Sequence, residues 1–377
     1  MLEKRLTIFR LLGFEVKLHI SWAIIALLIA WSLAKGFFPF HFPNLSPATY
    51  WWMGAVGALG LFLSIILHEL AHSLVAKKYG LPIKGITLFI FGGVAEMEEE
   101  PASPDAEFRM AIAGPIASIL LGAGFYGFSV LGKELAWPVP LTGLLFYLGW
   151  INWILAIFNL VPAFPLDGGR VLRAFLWNRK GNLRKATRTA SNIGAAFGAW
   201  LIVAGGLLFL MGNILGGMWW FLIGLFLRSA SQSSYQQLLI RKALEGEPIR
   251  RFMTPEPVVI SPALSIEDLV EDYIYKYHHE LFPVMADSKL LGCVRAQQVK
   301  QIPRNEWTQH SVQELTSTSS SENTVPADMD AIHVLSRMQQ SGNSRLMVVE
   351  GSRLVGIVVL KDLLAFLALK MDLEGNE

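Results

Sequence analysis

His68-Glu69-Leu70-Ala71-His72 lies inside a stretch, residues 53–76, that holds no other charge and runs through Leu59, Leu61, Phe62, Leu63, Ile65, Ile66, Leu67 and Val75. Such a run predicts a membrane-spanning helix. On a helix, side chains four apart share a face, so the His68 and His72 imidazoles can both reach one metal ion. Glu69, one position on, is displaced around the helix, where it can touch a water on that metal without being a ligand. A carboxylate in hydrocarbon costs about 2.5–3.5 kcal/mol at the bilayer centre, which calls for a compensating role. Hydrolysis inside a membrane is the chemistry these five residues imply.

The rest of the chain fits a membrane setting. It is 53% hydrophobic and 16% charged, with a mean hydropathy of +0.43. Apolar runs dominate up to Leu227, and after Arg228 the sequence is mixed. We expect spans near residues 18–38, 50–76, 110–131, 141–166, 193–211 and 214–227, the last short and preceded by a Gly212-Asn213 turn that would also suit a re-entrant hairpin. The first 17 residues are charged and lack a small-residue cleavage site, so no signal peptide is expected. Lys4, Arg5, Arg10 and Lys17 precede the first span, and Lys77, Lys78 and Lys84 follow the second. Seven more basic residues, from Arg170 to Arg188, lie between the fourth and fifth. The positive-inside rule then puts both termini in the cytoplasm, as expected for a multi-pass protein of a prokaryotic inner membrane surrounded by lipid. A formal net charge of +2 and the lack of a basic patch alternating with aromatics argue against a nucleic-acid partner. Cys293, the only cysteine, excludes an internal disulfide and reads as a buried, inert thiol.

Within the expected spans, or directly after the fourth in the case of Asp167, the only acids are Glu69 and Asp167, and the only histidines are His19, His68 and His72, all near cytoplasmic ends. Glu107 and Arg109 fall just outside the third span. Two histidines from one helix and an aspartate from another make a sensible catalytic zinc set with one position left for water. A transporter would string polar groups through several spans; here they gather at one depth. The fourth span ends Asn159-Leu160-Val161-Pro162-Ala163-Phe164-Pro165-Leu166-Asp167-Gly168-Gly169. Its two prolines cannot stay in a regular helix, so the chain breaks and can turn Asp167 toward the histidines. Asn159 can donate hydrogen bonds to a substrate carbonyl. Gly85 to Ala95 reads as strand, a membrane-associated β-hairpin whose Gly92 and Gly93 would let a substrate strand approach an edge. The acids Glu96, Glu98, Glu99 and Glu100 read as a solvated turn.

His-Glu-x-x-His in a membrane helix, followed distantly by Asn159, Pro162, Asp167 and Gly168, resembles the site-2 proteases, the intramembrane zinc metalloproteases. Ala113-Gly114-Pro115 is similar to that family's small-residue turn. The resemblance covers residues 1–230. It implies one Zn2+ held by His68, His72 and Asp167, Glu69 as general base, Asn159 in support, and a transmembrane segment of another protein as substrate.

The tail contains a repeat. Leu281-Phe282-Pro283-Val284 leading to Leu291-Gly292-Cys293-Val294 matches Leu346-Met347-Val348-Val349 leading to Val355-Gly356-Ile357-Val358. Apolar helix patterns at 266–277 and 331–340 precede the strands, and the Ser/Thr run 316–322 reads as a loop. This resembles tandem CBS domains, with repeats at 250–305 and 310–372. The resemblance implies an adenine nucleotide as ligand, with Asp362 at the ribose, and a homodimer. Val359 and Gln298 depart from the family's usual Thr and Asp, which leaves a purely structural or dimerising role open. The fold class is thus an α-helical integral membrane protein of about six spans with a C-terminal α/β tandem CBS domain.

Overall fold

The computed structural model describes residues 5–19, 21–81, 83–89, 92–97, 101–287, 289–320 and 322–374. The chain divides into two compact units, Met1–Gln236 and Gln237–Glu377.

In the first unit, strands β1 (Arg5–Leu11) and β2 (Phe14–His19) form a hairpin. Helix α1 (Ser21–Ser32) runs through a π-helical turn, Leu33–Phe37, into α2 (Phe38–His41). Then come α3 (Pro47–Lys78), β3 (Ile83–Phe89), β4 (Gly92–Met97), α4 (Pro104–Glu134), α5 (Val139–Asn159), α6 (Asp167–Lys180), α7 (Leu183–Leu210) and α8 (Ile214–Leu244). Among the described residues six helical stretches are long and apolar enough to cross a membrane: Trp22–His41, Pro47–Lys78, Pro104–Glu134, Val139–Asn159, Leu183–Leu210 and Ile214–Leu244.

Local chemistry sets the helix starts. Ser46 Oγ accepts the Thr49 amide at 3.1 Å with Pro47 at the first helical position, and Ser103 Oγ caps Ala106 ahead of Pro104. Each such cap stabilises a helix by about 1 kcal/mol. Gly181, with φ +65°, takes the left-handed conformation that stops α6. At 32 residues α3 is about 48 Å long, more than the hydrocarbon needs, so its ends extend past the apolar layer.

Several boundaries differ from the sequence expectation. Leu18 and His19 belong to β2, so the first span starts later and reaches His41. The strand pattern of residues 5–19 was masked by their charge. The expected hairpin near Gly92 is one half of a four-stranded sheet, ordered β1-β2-β3-β4, in which β2 and β3 run parallel. The Glu98–Glu100 part of the acidic turn lies outside the described residues, while Glu96 is in β4. The fourth span ends at Asn159 rather than 166, because Pro162 and Pro165 leave the chain without helix up to α6. Ala113-Gly114-Pro115 is no turn: it continues α4, which also takes in Glu107 and Arg109. The last helix runs on through its polar end to Leu244, since polar residues outside hydrocarbon do not stop a helix.

The second unit holds two sheets, β5 (Thr254–Pro255), β11 (Arg353–Val359), β10 (Arg345–Glu350) and β9 (Thr324–Pro326) in that order, and β6 (Leu281–Ala286), β7 (Lys289–Arg295) and β8 (Ser317–Thr318). Each sheet closes its own apolar core. One is built on Leu346, Val348, Val358, Leu335 and Leu363, the other on Phe282, Val284, Val294, Leu269 and Val312. Helical turns cover residues 266–277, and a helix covers Ala331–Ser341. Both strand pairs bulge at the same place, after Val284↔Gly292 and after Val348↔Gly356. That shared bulge corrects the repeat's register: Val284 corresponds to Val348, not Val349, so the apolar match of the first strands was one residue out. The Ser/Thr run is not wholly a loop, since Ser317 and Thr318 pair with Cys293 and Gly292. Cys293 is fully buried, and burial pushes its thiol pKa up, which suits an inert side chain.

Candidate metal centre

Helix α3 presents His68 and His72 one turn apart, both buried. The partner carboxylate comes from the break after α5. Phe164 in that loop donates its amide to the Ala190 carbonyl (3.3 Å) and accepts Ser231 Oγ at its own carbonyl (2.5 Å). Helices α7 and α8 thereby satisfy backbone that hydrocarbon would leave unpaired. Gly168 and Gly169 allow α6 to start against the loop: a Cβ at either would strike the backbone of Leu160 and Val161 or of Ala163 and Phe164. Asp167 is thus set at the first position of α6 with its side chain 13% exposed.

Asp167 Oδ2 lies 3.0 Å from His68 Nε2 and 3.2 Å from His72 Nε2, and the two Nε2 atoms are 3.1 Å apart. The opposite ring nitrogens are occupied. His72 Nδ1 donates to the Met110 carbonyl at 2.7 Å, and His68 Nδ1 meets Ser118 Oγ at 2.9 Å. A proton on His72 Nδ1 leaves a lone pair on Nε2. With each ring's proton on Nδ1, the two imidazoles and the carboxylate direct lone pairs toward one point, which is the arrangement a metal cation needs. Zinc–nitrogen bonds of about 2.0–2.1 Å put tetrahedral ligand atoms about 3.3 Å apart, close to the spacing found. Gly114 of α4 completes the cradle, since a Cβ there would collide with Nε2 of both histidines. The donor set and the room beside it fit a zinc ion.

A cavity of about 320 Å³ opens beside these residues, with His68, Glu69 and Asn159 on its wall and Ile25, Phe62, Ile154 and Trp219 among the apolar groups that complete it. Asn159 and Glu69, separated by 90 positions, thus face one space beside the two histidines. Of the other expected residues, Gly92 and Gly93 pair with Phe89 and Leu88 at the β4 edge of the sheet. The sequence reading missed Ser118 and the Met110 carbonyl. A serine in an apolar span was a usable signal for the first; a backbone carbonyl leaves none.

In the tail unit, Asp362 is exposed in the first turn of the helix Leu360–Glu374. Gln298 accepts the Arg295 amide (2.7 Å) and donates to the Leu315 carbonyl and Ser317 Oγ, both at 3.1 Å. Its amide is spent on the fold. A polar cavity of about 220 Å³ between the repeats is lined by Glu280, Leu281, Arg295, Gln297, Asn343 and Arg345, among others, and does not include Asp362.

Residues 56–137 and 132–204 match peptidase family M50, and residues 249–302 and 312–369 match the CBS domain. The chain is 37% identical to a Synechocystis sp. protein named "Putative zinc metalloprotease sll0528", over 92% of this chain and 91% of that one. It is 32% identical to a zinc metalloprotease of Methanocaldococcus jannaschii, over 97% and 98% of the two chains. Among solved structures it is similar to a site-2 protease from Methanocaldococcus jannaschii, with 31% identity, a TM-score of 0.44, and coverage of 61% of this chain and 94% of that one.

Proposed function

The chain belongs to peptidase family M50 and carries two CBS domains, and on that premise we propose that it hydrolyses peptide bonds within or beside membrane-spanning segments of other proteins. In this reading His68, His72 and Asp167 hold one zinc ion and Glu69 is the catalytic base. The observation that carries it is the meeting of two imidazoles of one helix with the carboxylate of another, their facing atoms within 3.2 Å, beside an apolar cavity walled by Glu69.

Zinc, when bound, supplies a Lewis acid and lowers the pKa of a coordinated water toward about 7. Glu69 takes the proton from the attacking water at its carboxylate and delivers it to the leaving amine. Met110 and Ser118 fix the rings of His72 and His68, so the metal-facing nitrogens need no reorganisation. Asn159, on the same cavity wall, donates from its amide to the carbonyl under attack. The cavity's apolar side chains receive those of the substrate and exclude bulk water. A helical substrate hides its peptide bonds in internal hydrogen bonds, so it must unwind locally. The β4 edge, with Gly92 and Gly93, is where the unwound strand would pair. The CBS repeats modulate this activity through an adenine nucleotide contacted by Asp362, and pair the chain into a homodimer. The basic residues flanking the spans support a reading in which both termini, and the active site's end of the helices, face the cytoplasmic side of a prokaryotic inner membrane.

Two experiments test the reading. Zinc-loaded protein in liposomes, offered a library of single-span substrates, should cut some of them inside or next to the apolar segment. Cleavage confined to soluble loops far from the membrane would defeat it. A cysteine at Leu166, in a Cys293→Ser background, should react with a membrane-impermeant thiol reagent from the cytoplasmic side, and labelling from the opposite side alone would overturn the orientation.

A further inference from the structure

We propose that the buried Glu107–Arg173 ion pair positions Asp167 against the two histidines. This rests on the reading of His68, His72 and Asp167 as zinc ligands. Arg173 Nε donates to Glu107 Oε1 at 2.6 Å and Nη2 lies 2.5 Å from the same oxygen; the two side chains are 4% and 0% exposed. The Arg173 guanidinium also covers the Phe164 ring, 4.9 Å from its centroid.

The places that these contacts join are informative. Glu107 stands on α4 three residues before Met110, within a turn of the carbonyl that accepts the His72 ring. Arg173 stands on α6 six residues after Asp167, about 9 Å along the same helix. Phe164 belongs to the loop that delivers Asp167. One guanidinium therefore ties the aspartate's helix and its loop to the helix segment that orients a histidine. Stability alone is a poor account of the pair, because burying two charges is costly and apolar residues of similar volume often serve as well. An Arg–carboxylate contact instead fixes direction as well as distance. Neither residue faces the substrate cavity, so their role is positioning.

The test uses the full chain purified in detergent, with zinc affinity and the visible spectrum of the cobalt-loaded protein as readouts. Glu107→Leu combined with Arg173→Met removes both charges of the pair together, so neither is left without the other. That double variant should stay monodisperse and melt like the wild type, yet bind zinc about tenfold more weakly and shift its cobalt bands. Arg173→Lys, which keeps the charge but loses the planar fork, should shift both readouts in the same direction by less. A folded double variant with wild-type zinc affinity and cobalt spectrum would refute the proposal. Should the double variant not fold, a folded Arg173→Lys protein with both readouts unchanged would refute it equally. His68→Ala run in parallel separates the two levels. If it binds zinc like the wild type, the metal assignment falls and the positioning role with it; if it loses zinc while the double variant does not, only the positioning role falls.

Discussion

Asp167 and Asp362 both stand in the first turn of a helix, where a carboxylate complements the partial positive charge of the helix end. Asp362 is exposed. Asp167 lies within 3.2 Å of two imidazoles whose far sides are held by a serine and a carbonyl. The two acids are alike locally and differ in what the rest of the chain brings to them. In a span, a polar group without a partner is expensive, so those present come with partners or a task. In the α/β unit a polar residue such as Gln298 is used up in bracing backbone.

That contrast can be broken in steps. Among changes to residues that touch neither metal nor substrate in this reading, the largest effect is expected at Gly114, where the membrane site has no slack. Gly114→Ala should weaken zinc binding about a hundredfold, at the upper end of what disturbed supporting groups cost, since the added methyl meets both Nε2 atoms. Equilibrium dialysis against a zinc buffer reads this, and an unchanged affinity would mean the rings do not face the metal as drawn. Next comes Ser118→Ala, which frees the His68 ring and should cost about tenfold in zinc affinity with the protein still folded. No loss there would make the serine a packing residue. The smallest effect belongs to the tail. Asp362→Ala should weaken ATP or AMP binding to the full chain about fivefold, the worth of roughly 1 kcal/mol for an exposed contact. Calorimetry that detects no nucleotide binding by the wild-type chain would leave the repeats as a dimerising or docking module.

Much of the membrane unit was legible because hydrocarbon allows few solutions. Apolar length gave the spans, and two prolines gave the break before Asp167. The hairpin at residues 5–19 was not legible, because its strands carry Arg5, Arg10, Glu15 and Lys17 and read only as a charged stretch ahead of the first span. The extension of α4 over Glu107 was hidden for a related reason: a charged residue looks like the end of a span until its partner, Arg173 on another helix, is known. In the tail, matching by apolarity set Leu281 against Leu346, whereas the bulges show that register follows the strand pairing at Gly292 and Gly356. A period-2 strand pattern tolerates a one-residue error when both faces are buried.

In the proposed mechanism His68, His72 and Asp167 hold the metal while Glu69 moves protons. Zinc content and cleavage of a single-span substrate, measured side by side on Glu69→Gln and His68→Ala, test it most directly. Glu69→Gln should keep one zinc per chain and lose cleavage by about 10²–10⁴-fold or more, as removal of a general base does, and His68→Ala should lose both. Metal loss in Glu69→Gln as severe as in His68→Ala, or proteolysis surviving in Glu69→Gln, would contradict it.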